Sequence, residues 1–123
     1  QVRIDAVIID LEACDPDTFG PDGFSNPQAL LNYLKANRPK EDLVFTHGDF
    51  CLPNVFFRGG QVEGIIDFGR CGVSDRWQDI SLCMRSLAYN LGTDRYNEAL
   101  LDALGLWPDE EKRRYYLLLD ELF

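Results

Sequence analysis

Residues 46–69 read THGDFCLPNVFFRGGQVEGIIDFG, and the rest of the chain can be read as packing around this stretch or as a wall facing it. The apolar run Leu43-Val44-Phe45 leads in, and Gly48 allows a tight turn just before Asp49. Asn54 follows, behind Pro53. Residues 55–58 have the composition of a strand, Gly59-Gly60 that of a two-residue hairpin turn, and residues 61–66 that of the returning strand. A hairpin brings its ends together. Asn54, just before the first strand, is therefore expected beside Asp67, just after the second, with Asp49 on the loop feeding in. Two carboxylates and an amide converge at one end of the hairpin.

That set suits phosphoryl transfer. A hard cation such as Mg²⁺ takes oxygen ligands, one or two from protein and the rest from phosphates and water. Asp67 and the side-chain oxygen of Asn54 are the candidate metal ligands. Asp49 is the candidate catalytic residue, placed to orient a substrate hydroxyl and accept its proton. Each piece alone has an ordinary structural reading, because Asp and Asn near a hairpin often bond their own backbone. Their order and spacing around one hairpin favour the site. His47, the single histidine, reads as an orienting core residue rather than a proton carrier, since Asp49 is better placed for that task.

The segments Thr46-His47-Gly48-Asp49, Cys51-Leu52-Pro53-Asn54, Gly64-Ile65-Ile66-Asp67 with Gly69-Arg70, Asp75-Arg76 with Asp79-Ile80, and Leu119-Asp120-Glu121-Leu122-Phe123 together resemble the aminoglycoside 3′-phosphotransferases, small-molecule kinases of the protein-kinase-like fold. The resemblance is specific from about Asn26 onward and weak before it. It implies an α+β, mostly helical chain: the C-terminal lobe of the protein-kinase-like fold, with a small β-hairpin carrying the metal ligands. It implies ATP-dependent phosphorylation of an aminoglycoside hydroxyl, hence antibiotic resistance, with ATP as co-substrate and Mg²⁺ as cofactor. Asp79 then supports the catalytic loop by accepting backbone hydrogen bonds, as a carboxylate set among apolar rows requires. Asp120, Glu121 and the carboxylate of Phe123 bind substrate ammonium groups; clustered acids repel one another unless a cation lies between them. Arg85, Tyr89 and Asn90 join this acceptor side. The family often carries acids one turn past Met84-Arg85-Ser86, where this chain has Ala88-Tyr89-Asn90, so the range of antibiotics accepted stays open. Two readings of Arg70 stand side by side: a phosphate contact, or a partner for a structural acid. Two further readings of the whole chain also stand: a related kinase acting on an amino-alcohol or macrolide, and a non-catalytic module that binds a cationic ligand.

Composition sets the bounds. The 123 residues, 46% of them hydrophobic, suffice for one domain with a core. A net charge of −9 argues against a nucleic-acid partner and permits a polycationic one, although acidity for solubility alone accounts for it equally well. No apolar run is long enough to span a membrane, and no basic-then-apolar leader opens the sequence. Cys14, Cys51, Cys71 and Cys83 show no Cys-x-x-Cys spacing and read as free thiols of a cytoplasmic protein. The chain starts at Gln1 and contains no Gly-rich phosphate loop. The expectation is that residues 1–123 are a partial C-terminal lobe, that the N-terminal nucleotide-binding lobe is absent, and that the piece alone is inactive. Its uncovered surfaces would then favour self-association.

Around the central stretch, Ile4, Val7, Ile8 and Leu11 recur at helical spacing and predict an amphipathic helix. Residues 15–24 read as a loop whose acids are turn residues or part of a cation-binding wall. Asn26-Pro27 reads as an N-cap with Pro in the first turn, ahead of a buried stripe of Ala29, Leu30, Tyr33 and Leu34, with Pro39 as the stop. Residues 70–74 read as a loop. Asp75 then caps a helix with Ile80, Cys83, Met84, Leu87 and Leu91 on one face and Gly92 at its end. Thr93 caps the next helix, with Tyr96, Ala99, Leu100, Ala103 and Leu104 inward and Gly105 closing it. Pro108 opens a last helix whose residues 115–119 are apolar all round, as a central core helix requires.

Overall fold

The computed structural model describes residues 24–123 and the backbone of residues 2–4 and 7–9. Strands β1 (Val2–Ile4) and β2 (Val7–Ile9) pair antiparallel, with Val2 opposite Ile9 and Ile4 opposite Val7. The opening is thus a hairpin where the spacing predicts a helix. Its residues are mostly β-branched, and Val and Ile lose side-chain freedom in a helix but suit an extended chain. The acidic loop over residues 15–23 and Cys14 lie outside the described residues.

Helix α1 (Pro27–Ala36) begins as its sequence demands: the Asn26 side chain accepts from the Ala29 N–H at 2.9 Å, and Pro27 sits in the first turn. Leu30, Leu31 and Leu34 are fully buried, while Ala29 and Tyr33 are half-buried. Strand β3 (Leu43–Thr46) leads to the loop that carries Asp49 and to a 3-10 turn (Leu52–Asn54). Strands β4 (Val55–Arg58) and β5 (Gln61–Ile65) form the expected hairpin, with Gly59 and Gly60 at φ 59° and 78°. Positive φ at both central residues is what a tight hairpin turn needs.

Strand β6 (Gly72–Asp75) is a correction to the loop expected there. It pairs antiparallel with β3, Leu43 opposite Asp75 and Thr46 opposite Gly72. Only Val73 in it favours a strand, so the pairing is imposed by β3 rather than by local preference. Asp75 therefore ends a strand, although its Oδ1 still accepts from the Trp77 N–H at 2.8 Å at the start of the next helix.

Helices α2 (Trp77–Leu91) and α3 (Tyr96–Leu104) end on Gly92 and Gly105, both left-handed at φ 69°. Helix α4 (Glu110–Asp120) is capped by Asp109, whose side chain accepts from the Lys112 N–H at 2.9 Å; Pro108 lies outside it. The inward face of α3 also differs from expectation. Leu101 is buried there, whereas Tyr96, Ala99, Ala103 and Leu104 are largely exposed. The core joins α1, α2 and α4 through Leu30, Leu31, Leu34, Trp77, Ile80 and Met84, closed by Tyr115, Tyr116, Leu118, Leu119 and Leu122. Tyr115 donates its hydroxyl to the Leu34 carbonyl at 3.1 Å, so its polar tip is satisfied inside the core. Among the described residues, no helix is long and apolar enough to cross a membrane. The architecture is α+β and mostly helical, with small two-stranded antiparallel sheets.

Candidate active site

The loop between β3 and the 3-10 turn is held from beneath by α2. Asp79, in the first turn of that helix, accepts from the His47 N–H through Oδ2 at 2.7 Å and from the Gly48 N–H through Oδ1 at 2.9 Å. Ser86, two turns further along the same face, accepts from the Leu52 N–H through Oγ at 2.8 Å. One rigid helix therefore fixes the loop on both sides of Asp49. Gly48 has φ 88°, and a Cβ there would lie 2.2 Å from the Arg70 carbonyl oxygen. Backbone approaches backbone at that point, and only glycine fits.

His47 is buried and bridges the two loops of the site. Its Nδ1 accepts from the Asp49 N–H at 3.2 Å, which assigns the ring proton to Nε2, and Nε2 donates to the Ile66 carbonyl at 2.8 Å. The ring also packs on Phe68, with centroids 4.5 Å apart. Both nitrogens are thus engaged with backbone.

Asn54 is buried, and its Nδ2 donates to the Asp49 carbonyl at 2.9 Å and to Asp49 Oδ2 at 3.2 Å. The Cys51 thiol donates to Asp49 Oδ1 at 3.8 Å. Burial, followed by the negative charge of Asp49, pushes that thiol's pKa up. The Asn54 carbonyl accepts from the Ile66 N–H at 2.9 Å, which extends the β4–β5 ladder by one rung and sets Asp67 immediately after it. Asp67 is exposed and has φ 66°; among the described residues it is the one non-glycine with positive φ. Such strain persists only where the surroundings over-determine it, and it is concentrated at functional sites.

The residues expected on the acceptor side form a second group. Asp120 Oδ2 lies 2.6 Å from Arg85, and Asp120 Oδ1 lies 3.6 Å from Arg70. The Arg70 guanidinium also sits 4.9 Å from the centre of the Phe123 ring. Arg70 is thus paired with an acid of the expected acceptor side. Glu121 caps the C-terminus of α4 and is half-buried. Asn90 is turned back onto its own helix, donating to the Ser86 carbonyl at 2.7 Å, and Tyr89 is exposed. Neither is hydrogen-bonded to Asp120.

Sequence reasoning missed Ser86. The available signal was weak, because α2 also carries Gln78, Asp79, Ser81, Arg85 and Asn90, and Gln78 and Ser81 are buried as Ser86 is. The partners of Asp120 carry no such signal, because Arg70 and Arg85 lie far from it in sequence. Beside the loop lies an apolar groove of about 290 Å³, lined by Phe45, His47, Phe50, Phe68, Ile80 and Leu104 among others.

The profile of the phosphotransferase enzyme family matches residues 6–116. An aminoglycoside 3′-phosphotransferase of Enterococcus faecalis is 44% identical over 119 residues, covering 97% of this chain and 44% of that protein. One from Niallia circulans is 46% identical over 118 residues, covering 94% and 45% respectively. Among solved structures, a type VIII aminoglycoside-3′-phosphotransferase superposes with a TM-score of 0.71 at 35% identity, over 94% of this chain and 45% of that one. The aminoglycoside phosphotransferase APH(3″)-Id from Streptomyces rimosus, in complex with ADP and streptomycin, does so with a TM-score of 0.74 at 31% identity, over 90% and 47%. The chain spans less than half the length of the relatives it matches.

Proposed function

The chain belongs to the phosphotransferase enzyme family, and from that premise we propose that it forms the catalytic and acceptor-binding lobe of a kinase that phosphorylates an aminoglycoside hydroxyl from ATP. One observation carries the reading: Asp49 and Asn54 are hydrogen-bonded to each other on a loop anchored by Asp79, one hairpin rung from Asp67. In the reaction, the acceptor hydroxyl oxygen forms a bond to the γ-phosphorus of ATP, the bond to the β–γ bridging oxygen breaks, and ADP leaves. Asp49 orients that hydroxyl and takes its proton. Asn54 commits its amide nitrogen to Asp49, which aligns the carboxylate and leaves the amide oxygen as the group's metal donor.

The residues present fit Mg²⁺. One carboxylate and one amide oxygen are the usual protein share for this ion beside phosphate, and Asp67 is held exposed in a strained conformation at the right end of the hairpin. Bound there, Mg²⁺ would neutralise charge on the phosphate oxygens. His47 holds the Asp49 and Asp67 loops together without carrying a transferred proton. The ATP-binding lobe, in this reading, is a part of the enzyme that residues 1–123 do not supply, and the isolated chain turns over no ATP. The exposed Phe45, Phe56 and Phe57 favour self-association of the isolated chain, which sedimentation would detect.

The test is in two parts. Calorimetric titration of kanamycin into this chain should give binding that weakens with salt; absence of heat from the folded chain counts against the aminoglycoside. In an enzyme completed with a nucleotide-binding lobe, Asp49→Asn should lower kcat by about 10²–10⁴-fold with KM little changed. Normal turnover by that variant would refute the assignment of Asp49.

A further inference from the structure

Asp120 is claimed by two cations of its own chain. Its carboxylate is only 13% exposed, yet Arg85 and Arg70, the groups that neutralise it, are 50% and 45% exposed. Arg70 is additionally braced on Phe123. The three side chains together carry a net positive charge, so the acid most central to the acceptor side does not present a free negative charge to solvent.

We propose that Arg70 and Arg85 are specificity-determining residues that set a minimum charge on the acceptor. The proposal rests on the functional reading above and adds the rule by which its substrates are sorted. An ammonium group reaching Asp120 must take the place of a guanidinium. Exchanging one half-exposed ion pair for another yields little, since such pairs are individually weak. A ligand with a single ammonium therefore gains almost nothing, whereas each further ammonium group of a polyamine sugar is attracted by the field of a chain whose net charge is −9. The arginines act as resident competitors and select for polycations.

This predicts an unusual sign: removing a positive side chain that would be counted as part of the binding site should improve binding. Kanamycin and glucosamine, with many ammonium groups and one, are titrated calorimetrically into the 123-residue chain and its Arg70→Gln, Arg85→Gln and Arg70→Lys variants. Circular dichroism is used to check that each is folded. Arg70→Gln and Arg85→Gln should each bind kanamycin about three- to tenfold more tightly, and the preference for kanamycin over glucosamine should narrow. Arg70→Lys, which keeps the charge, should behave like the parent chain. If the parent binds kanamycin and the Gln variants bind it equally or more weakly, the proposal is overturned while the aminoglycoside reading survives. If Arg70→Lys tightens binding as much as Arg70→Gln, charge is not the cause and the proposal fails. Absence of kanamycin binding by every folded version overturns both.

Discussion

Two carboxylates flank α2, and they are neutralised in opposite ways. Asp75, just before the helix, is completely buried and accepts from the Asp42 N–H at 2.7 Å, the Trp77 N–H at 2.8 Å and the Lys112 ammonium at 2.5 Å. Asp120, beside the later turns, is met by two arginine side chains that are half in water. Backbone donors inside a core cannot be displaced by a solute. Guanidinium groups at a surface can. The first arrangement makes scaffold and the second makes an exchangeable surface, although both would be counted simply as Asp ion pairs. Asp79 sits with the first class, since its partners are the backbone N–H groups of His47 and Gly48.

The contrast can be broken at its strong end. Asp75→Ala leaves the Lys112 ammonium and two N–H groups without their acceptor, so unfolding by urea should show a loss of about 3–5 kcal/mol. A loss below about 1 kcal/mol would place Asp75 in the same class as Asp120. Asp79→Ala should cost about 1.5–3 kcal/mol. Its sharper readout is faster hydrogen exchange at the His47 and Gly48 amides, with exchange in α4 unchanged.

Alkaline pH tests the same buried end. Burial, reinforced by the charge of Asp75, raises the pKa of Tyr116 well above its ordinary value of 10.0. The unfolded chain releases this proton first as pH rises. Stability should therefore be unaffected below about pH 9 and fall above about pH 10 as the unfolded state ionises. Tyr116→Phe should flatten that alkaline decline in a series of thermal melts. The smallest effect belongs to the exposed end: Arg85→Gln should change stability by less than about 1 kcal/mol. A larger loss would mean that the Asp120 pairs are scaffold after all.

What could be read in advance follows the same division between local and long-range causes. The β4–β5 hairpin, the Asn26-Pro27 start of α1, and the glycines closing α2 and α3 depend on residues adjacent in sequence, and they were legible. The placing of Asn54 next to the Asp67 end of the hairpin follows from that turn and was legible too, whereas the hydrogen bonds from Asn54 to Asp49 were not. Strand β6 was not, because Gly72, Ser74 and Asp75 acquire their extended form from β3, far earlier in the chain. The opening hairpin was hidden because alternating and helical spacings coincide over so few apolar residues. The family resemblance implied acids at 120–123 on the acceptor side, but the pairing of Asp120 depends on Arg85, which the packing of α2 against α4 brings to it, and on Arg70 from the loop before β6.

The segment around Asp67 is gripped on both sides. Before it, the Ile66 carbonyl is held by His47; after it, the Arg70 backbone presses on Gly48, so closely that no side chain fits between. His47 and Gly48 are consecutive residues, and the next is Asp49. The two loops therefore meet on both sides of Asp67. Moving Asp67 away from Asp49 would have to break the His47 hydrogen bond or part the Arg70 backbone from Gly48.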